Sequence, residues 1–165
     1  MRRLSRMADA LEALVEWLGR LSAVALLVLV LVMAGNVLLR YGFAAGSVWA
    51  QELEWHLMSP IALLGAAWAL KHGEHVRVDV LYARLSRAWQ NRIEWLSSLA
   101  GLLVSLAVIW LSWRYVMQSW NQGEGSPNPG GIPARYLLKA FIPLGFSLLA
   151  LQFAATLLRL TPRLR

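Results

Sequence analysis

The sequence predicts an all-α integral membrane protein with four transmembrane helices, and three observations support this fold class. The 165-residue chain is 58% hydrophobic and only 15% charged, with a mean hydropathy of +0.51. Soluble domains are nearer half apolar and a quarter charged. Long windows without any ionisable side chain divide the chain. The cations bracket those windows instead of forming one continuous basic face.

The charge-free windows locate the four spans. Residues 21–39, 95–113 and 140–158 each form a window of 19 residues. At about 1.5 Å rise per residue, each makes a helix of roughly 28 Å, close to the hydrocarbon thickness of a bilayer. A shorter window at 57–70 becomes a span when it is extended back through Glu52 and Glu54. We therefore predict spans at about 20–40, 50–71, 93–117 and 138–159, in one membrane domain.

Two amphipathic segments accompany the spans. Residues 1–20 place leucines on one helical face and charged residues on the other, which indicates a helix lying in the membrane interface. Extension of the first span through these residues is the alternative. Residues 79–92 repeat the same pattern and predict a short surface helix between spans two and three, with Asp79 as its N-cap. The loop at 119–134 is rich in glycine and proline, so we expect no regular element there.

The distribution of cations predicts the orientation. Twelve of the 16 Lys and Arg residues lie before span one, between spans two and three, or after span four. With four spans, these three regions share one side of the membrane. The positive-inside rule places that side, and both termini, in the cytoplasm of a bacterial inner membrane. The loop at 119–134 is then periplasmic, and it is long enough to lie across a partner or along the protein's own outer face.

Composition also narrows the function. The chain has no cysteine, which excludes disulfides, thiolate metal sites and cysteine nucleophiles. Its net charge of +7 is divided among the ends of apolar runs, so nucleic-acid binding is not expected. The sequence contains no visible nucleophile–base pair, and we do not expect an enzyme.

One polar stretch, residues 71–79 (KHGEHVRVD), concentrates two of the three histidines, a Glu, an Asp and two cations. A bis-histidine haem would need ligands at matching depth on facing helices, and no second helix supplies one. We therefore expect no cofactor or metal in this chain. The stretch is interpreted as a structural corner at the cytoplasmic interface, where Lys71 and Arg77 can meet anionic membrane lipid. His75 and Asp79 are additional candidates for contact with a partner.

A second polar group lies at the outer end of span two. Carboxylates at membrane depth are costly and usually face protein or water, which makes Glu52 and Glu54 candidate functional residues. Arg40 is available across a short loop, so an internal ion pair or a contact with a partner protein is the favoured interpretation. The alternative is a stand-alone, proton-coupled small exporter that uses Glu52 or Glu54.

Several short motifs follow one another in a characteristic order. Asn36-Val-Leu-Leu-Arg40-Tyr41 ends span one, and Trp49-x-x-Glu52 opens span two. Gly73-Glu-His75-Val-Arg-Val-Asp79 follows span two, and Ile142-Pro143-Leu144-Gly145 lies in span four. In this order and spacing the chain resembles the small permease subunit, called Q or DctQ-like, of tripartite ATP-independent periplasmic (TRAP) transporters. The resemblance covers nearly the whole chain.

The resemblance implies a role that composition does not show. Such subunits pair with a much larger membrane subunit, which carries the sodium sites and the substrate site. A periplasmic substrate-binding protein delivers an organic acid to the pair. The small subunit is non-catalytic: it scaffolds the large subunit and helps to dock the binding protein. The candidate contact or structural residues are then Asn36, Arg40, Trp49, Glu52, Glu54, His75 and Asp79.

Overall fold

The computed structural model describes residues 2–73, 82 and 84–161, with side chains from Ala8 onward. Within these ranges the chain forms four long helices. They are α1 (Arg2–Phe43), α2 (Val48–His72), α3 (Arg87–Asn121) and α4 (Arg135–Leu160). The α1–α2 turn and the α3–α4 loop lie at one end of the bundle, here called the loop end. The first residues of α1 and the last of α4 lie at the opposite, terminal end.

Three of the four helices, α1, α3 and α4, are long and apolar enough to cross a membrane. This confirms the predicted spans one, three and four by length and composition. Helix α2 does not meet the same criterion, because it carries Glu52 and Glu54 near its start and Lys71 near its end. Its role as a fourth span therefore stays a prediction.

The N-terminal segment does not form a separate interfacial helix, because α1 is continuous from Arg2 to Phe43. The apolar face of this segment packs on protein: Ala8 and Val15 are almost fully buried, and Val15 belongs to the central core. The structure thus shows the alternative interpretation, in which the first span extends through the N-terminal residues. No proline interrupts this stretch, so nothing in the backbone forces a break.

The predicted surface helix at 79–92 is not confirmed. Residues 74–81 and 83, which include His75 and Asp79, lie outside the described residues. Residues 84–86 are not helical, and Ser86 is the N-cap of α3, its hydroxyl accepting from the Trp89 amide at 3.5 Å. Arg87 to Arg92 therefore belong to α3 itself, which begins six residues before the predicted span. A Ser cap followed by uninterrupted helix-forming residues accounts for this earlier start.

Helix α4 is central to the packing, because it contacts each of the other three helices, whereas α3 packs mainly against α4. Where α1, α2 and α4 meet, Val15, Leu64, Ala67 and Leu148 form the core. The α3–α4 contact uses small residues instead. Buried serines recur every seventh position of α3, at Ser98, Ser105, Ser112 and Ser119. Small side chains let two helix backbones approach closely, which is how helices associate in membranes.

Two glycines mark the closest approaches. A Cβ on Gly101 would lie 2.3–2.6 Å from the Phe153 ring, so the ring of α4 packs directly over the α3 backbone. A Cβ on Gly145 would lie 2.6 Å from Leu63 Cβ, which brings α4 against α2. Pro143 lies inside α4, which begins at Arg135. The hydroxyl of Ser147 donates to the Pro143 carbonyl at 2.6 Å, a bond to its own helix backbone.

Candidate functional site

The most developed polar site surrounds Glu52 at the loop end. Ser47 caps α2 by accepting a hydrogen bond from the Ala50 amide, and Glu52 follows in the second turn. Its side chain is only 2% exposed, although it is a carboxylate near a helix end. Burial of a charge requires hydrogen-bond donors around it.

The α3–α4 loop supplies those donors. The Asn128 side-chain amide donates to Glu52 Oε1 at 3.0 Å, and the Ile132 backbone amide donates to Oε2 at 2.7 Å. The Ser126 hydroxyl donates a short hydrogen bond to Oε1. A Cβ on Gly131 would lie 2.6 Å from Oε2, so only glycine fits beside the carboxylate. Glu52 therefore fixes the middle of the loop onto α2.

A second carboxylate fixes the beginning of the same loop. Glu124 accepts a short hydrogen bond from the Lys139 ammonium and a 2.7 Å bond from the Ser119 hydroxyl. Its backbone carbonyl accepts from the Arg135 amide at 2.9 Å. Together the Lys139 and Ser119 donors hold the pKa of the Glu124 carboxyl below its ordinary value. The Lys139 ammonium also lies 4.0 Å from the Tyr115 ring centroid, a cation–π contact.

The loop is consequently an ordered surface between α3 and α4. The Trp120 and Tyr136 rings pack edge to face at 4.5 Å and close its base. Two internal turns shape it: Asn128 donates its amide to the Ser126 hydroxyl, and the Gly131 amide donates to the Asn128 carbonyl. Residues 122–134 contain no helix or strand and lie along the protein's own face, whereas 119–121, predicted as part of the loop, belong to α3.

Glu54 lies on a different face of α2 from Glu52. Its Oε1 accepts a hydrogen bond from the Asn36 side-chain amide at 3.0 Å, and this contact joins α1 to α2. The guanidinium of Arg40 lies 5.1 Å from the Tyr41 ring centroid. Glu54 and Asn36 are both half-buried, whereas Arg40 is exposed. Among the described residues, Glu54 is thus paired with an amide instead of the Arg40 cation suggested by the sequence.

The remaining predicted residues are placed as follows. Trp49 lies in the first turn of α2 and is 52% exposed. His56, which was not among the candidates, donates through Nδ1 to the Glu52 carbonyl at 2.7 Å and so bonds to its own helix backbone. His75 and Asp79 lie outside the described residues. Among the described residues, no group of three or more His, Asp and Glu side chains could hold a metal ion.

At the terminal end, two ionic contacts close the bundle. Glu16 of α1 accepts from the Lys71 ammonium at 2.7 Å and lies 3.4 Å from His72 Nε2. Gly73 then ends α2 in the left-handed conformation, with φ 75°, which glycine adopts without steric cost. Arg159 of α4 contacts Glu12 at 2.6 Å and Asp9 at 2.8 Å, which joins α4 to α1.

Sequence reasoning missed the residues that hold the loop. None of these residues stands out in its local sequence, so none was identified as a candidate: Ser126, Asn128, Glu124 and Lys139. Their signal was indirect: a carboxylate placed at the buried side of a helix end needs several donors, and a Gly/Pro-rich loop offers successive free amides. The serines of α3 carried a clearer signal in their seven-residue spacing.

Chemically, this site holds a backbone segment in one conformation, and all three donors to Glu52 come from the same chain. The Glu52 carboxylate already accepts three hydrogen bonds from this chain, so it has little capacity left to bind a substrate. The site therefore builds a fixed surface at the loop end.

Comparison with known proteins identifies the family. Residues 29–163 match the model of the DctQ component of tripartite ATP-independent periplasmic transporters. The chain is 27% identical over 146 residues to the ectoine TRAP transporter small permease protein TeaB of Halomonas elongata. This alignment covers 86% of the chain and 75% of TeaB.

Two further relatives agree. The chain is 33% identical over 106 residues to the C4-dicarboxylate TRAP transporter small permease protein DctQ of Rhodobacter capsulatus, covering 64% of the chain and 46% of that protein. It is 29% identical over 113 residues to the isethionate TRAP transporter permease protein DctMQ of Oleidesulfovibrio alaskensis, covering 66% of the chain and 17% of that protein. The family match spans most of the sequence, and its members are transporter permease subunits: the chain belongs to the DctQ family of TRAP transporter small permeases.

Proposed function

We propose that the chain is the non-catalytic small membrane subunit of a sodium-coupled, binding-protein-dependent TRAP transporter that imports an organic acid. The single observation that carries this proposal is the family match over residues 29–163. Two relatives are named for C4-dicarboxylate and isethionate, which are organic anions. In this proposal the substrate and sodium sites belong to a large membrane subunit.

The proposed role of the chain is to scaffold that large subunit. The aligned region covers 17% of the relative named DctMQ, so that protein is several times longer than the aligned region. A small permease joined to a larger one in a single chain would have such a length. The exposed faces of α1 and α3 carry many large apolar side chains, among them Leu31, Leu38, Trp110 and Leu111. Such faces suit either lipid or a second membrane subunit.

The second proposed role is to help dock a periplasmic binding protein at the loop end. A docking surface gains affinity when it is ordered before its partner arrives. Glu52 and Glu124 order the α3–α4 loop from two sides, which supports this role. Glu52 itself is covered by the loop, so its contribution to docking is to hold the surface. Exposed Trp49 and half-buried Glu54 remain candidates for direct contact.

We also propose an inner-membrane location with four spans and both termini in the cytoplasm. The cations at the terminal end support this orientation through the positive-inside rule. Helix α2 would be the remaining span. Its polar residues are compatible with a span because Glu52, Glu54 and Lys71 each contact protein groups within the bundle.

The alternative, a stand-alone proton-coupled exporter, gains less support. A coupling carboxylate must exchange protons with water during each cycle. Glu52 is 2% exposed and bound to its own loop, and Glu54 accepts from Asn36 at the α1–α2 contact.

Two measurements test the proposed function. The tagged chain, expressed with its large subunit, should co-purify with it in mild detergent, and the pair should take up substrate in proteoliposomes only with a sodium gradient and the binding protein. A chain that supports proton-driven flux alone would contradict the proposal and favour the exporter.

The docking role has its own test. Glu52→Gln should lower binding-protein-dependent uptake severalfold while the amount of membrane complex stays unchanged. Glu12→Gln, at the terminal end and bound to Arg159 instead of the loop, is the matched control for a change of charge. Equal uptake by wild type and Glu52→Gln would exclude the ordered loop from docking.

A further inference from the structure

A two-part cavity lies between α1 and α2 at the terminal end, away from the loop that the proposed function uses. Its first part, called the polar chamber, has a volume of about 390 Å³. The chamber is lined mainly by charged residues: Asp9, Glu12, Glu16, Trp17, Arg20 and Lys71. The second part, called the apolar groove, has a volume of about 440 Å³. Its walls include Gly19, Ser22, Ala23, Leu26, Ile61 and Gly65.

The two parts adjoin at Glu16 and Arg20, which line both. Their combined path runs along α2 from Lys71 to Ile61, a length of roughly 15 Å at the rise of an α-helix. It leads from the charged end of α1 toward the middle of the predicted first span. A polar compartment at the interface joined to an apolar one that enters the membrane has the shape of a phospholipid headgroup with its chain.

The groove is shaped by specific packing and is not an accidental gap. Trp68 lies directly on α1, since a Cβ on Gly19 would come within 2.2 Å of its Cδ1. Ser22 donates its hydroxyl to the Ile61 carbonyl at 2.9 Å, so this serine presents little unsatisfied polarity to the groove. The small residues Ala23 and Gly65 leave the space between these two contacts open.

The charges in the polar chamber indicate which class of lipid headgroup it can bind. Three carboxylates and two cations line it, and Arg159 pairs with Asp9 and Glu12, so these side chains carry no excess of either charge, which a zwitterionic headgroup matches. Arg20 is 78% exposed and its Nε donates to Glu16 at 3.3 Å, which leaves its two terminal nitrogens for another partner. Arginine is well suited to bind phosphate oxygens. Asp9 is 61% exposed; its Oδ1 accepts from Arg159 at 2.8 Å, and its Oδ2 is left to accept from a primary ammonium.

We propose that this cavity binds one phospholipid with a zwitterionic, primary-amine headgroup, of the phosphoethanolamine class. Arg20 binds its phosphate, Asp9 accepts from its ammonium, and one acyl chain lies in the apolar groove. Lys71, for which the sequence suggested a contact with anionic lipid, is engaged instead by Glu16 at 2.7 Å. The lipid would fill the α1–α2 junction and hold the ends of both helices together.

The test uses the full-length chain in mild detergent after removal of co-purified lipid. It is equilibrated with an equimolar mixture of phosphatidylethanolamine, phosphatidylcholine and phosphatidylglycerol with identical acyl chains, and the retained lipid is quantified by mass spectrometry. Phosphatidylcholine has the same phosphate and chains but no N–H donor. We expect about tenfold enrichment of phosphatidylethanolamine over phosphatidylcholine, the value of one charge-assisted hydrogen bond.

Four variants locate the binding. Arg20→Gln should lower retention of all three lipids, and Asp9→Asn should remove only the preference for the primary amine. Ala23→Phe fills the groove without changing any charge, and should also lower retention of all three. Arg40→Gln, an exposed cation at the opposite end of α1, is the matched control and should retain the wild-type pattern.

Equal retention of the ethanolamine and choline lipids would overturn the proposal, as would preference for phosphatidylglycerol. Wild-type retention by Ala23→Phe would show that no chain occupies the groove and would overturn it as well. None of these outcomes depends on transport or on the large subunit, so the proposal can fail while the proposed function stands.

Discussion

At the scale of single residues, the acidic side chains of this protein act as acceptors that join segments distant in sequence. Glu52 binds a loop 74 to 80 residues away, and Glu54 binds Asn36 on the preceding helix. Glu124 binds Lys139 across the same loop, while Glu16 binds Lys71 at the opposite end. A carboxylate accepts several bonds at once and donates none, so one residue can order a whole backbone segment.

Replacement of Glu52 by Gln should loosen the loop without unfolding the helices. Gln keeps the shape and one acceptor oxygen, but places an N–H group where Glu52 now accepts. We expect the Ile132 amide to exchange its hydrogen about tenfold faster, because its acceptor is no longer charged. Exchange measured by mass spectrometry on the 121–134 peptide checks this.

Glu54→Gln serves as the control for that experiment, because Glu54 contacts α1 and not the loop. Unchanged exchange of the loop peptide in Glu52→Gln would mean that the loop is ordered by its own turns and by Glu124.

Glu124 predicts a dependence on pH. Its pKa is lowered in the folded protein, chiefly by Lys139 and then by Ser119, so its contribution to stability is complete above the unfolded carboxyl pKa of about 4.3. That contribution is lost as pH falls through the lower folded pKa. The thermal midpoint of Glu124→Gln should therefore be below that of wild type at pH 7, and the two should converge in acid.

Lys139→Gln tests whether the Lys139 ammonium is the cause of this pH dependence, because the substitution removes the group that lowers the Glu124 pKa. A constant difference between wild type and Glu124→Gln from pH 7 to pH 3 would contradict the assignment.

At the scale of helices, small residues decide how closely the elements approach. The serine stripe of α3 and Gly101 allow α4 to lie against the α3 backbone, with Phe153 seated over the glycine. Two of these serine hydroxyls bond to their own helix: Ser105 donates to the Gly101 carbonyl at 2.7 Å, and Ser112 to the Ile109 carbonyl at 3.2 Å. Helix α3 therefore depends on this one contact surface more than the others do.

Gly101→Ala should separate α3 from α4. The added Cβ would lie 2.3–2.6 Å from the Phe153 ring, which has to move. We expect a loss of about 1–3 kcal/mol in the free energy of unfolding, the usual cost of overpacking. Thermal or denaturant unfolding in detergent measures it.

Gly35→Ala is the matched control, since no atom lies within 4 Å of a Cβ at that position of α1. It should be neutral or should stabilise by up to about 1 kcal/mol through helix propensity. Combining Gly101→Ala with Phe153→Leu should restore part of the loss, and an unaltered loss in the double variant would count against this contact.

At the scale of the whole molecule, α4 joins the other three helices and its two ends are held by ionic contacts. Lys139 contacts Glu124 at the loop end, and Arg159 contacts Asp9 and Glu12 at the terminal end. Between these ends the core of Val15, Leu64, Ala67 and Leu148 fixes the position of α4 against α1 and α2. The ionic contacts thus set the register of helices that apolar packing already brings together.

Arg159→Gln should have a small effect on stability. Arg159 and Asp9 are 46% and 61% exposed, and pairs of this kind contribute less than about 1 kcal/mol and are screened by salt. Unfolding at low and high salt should show a loss that is present only at low salt. A loss as large as that of Gly101→Ala would indicate that this ionic contact, and not core packing, holds α4 to α1.

The sequence by itself determined the membrane class, the positions of three spans and the family. These properties depend on local quantities: the length of an apolar window, the charge at its ends and the order of short motifs. It did not determine the start of α3 or the continuity of α1, because both depend on caps and on which protein surface an amphipathic face meets.

The tertiary structure alone decided what Glu52 does and which helix is central. Glu52 and its donors are up to 80 residues apart, and neither the carboxylate nor the loop signals the other in sequence. Likewise, Gly101 meets Phe153 only because α3 and α4 pack at one register. Local sequence fixes where helices form because their hydrogen bonds are local, whereas side-chain partners across the bundle are selected by the packing of all four helices together.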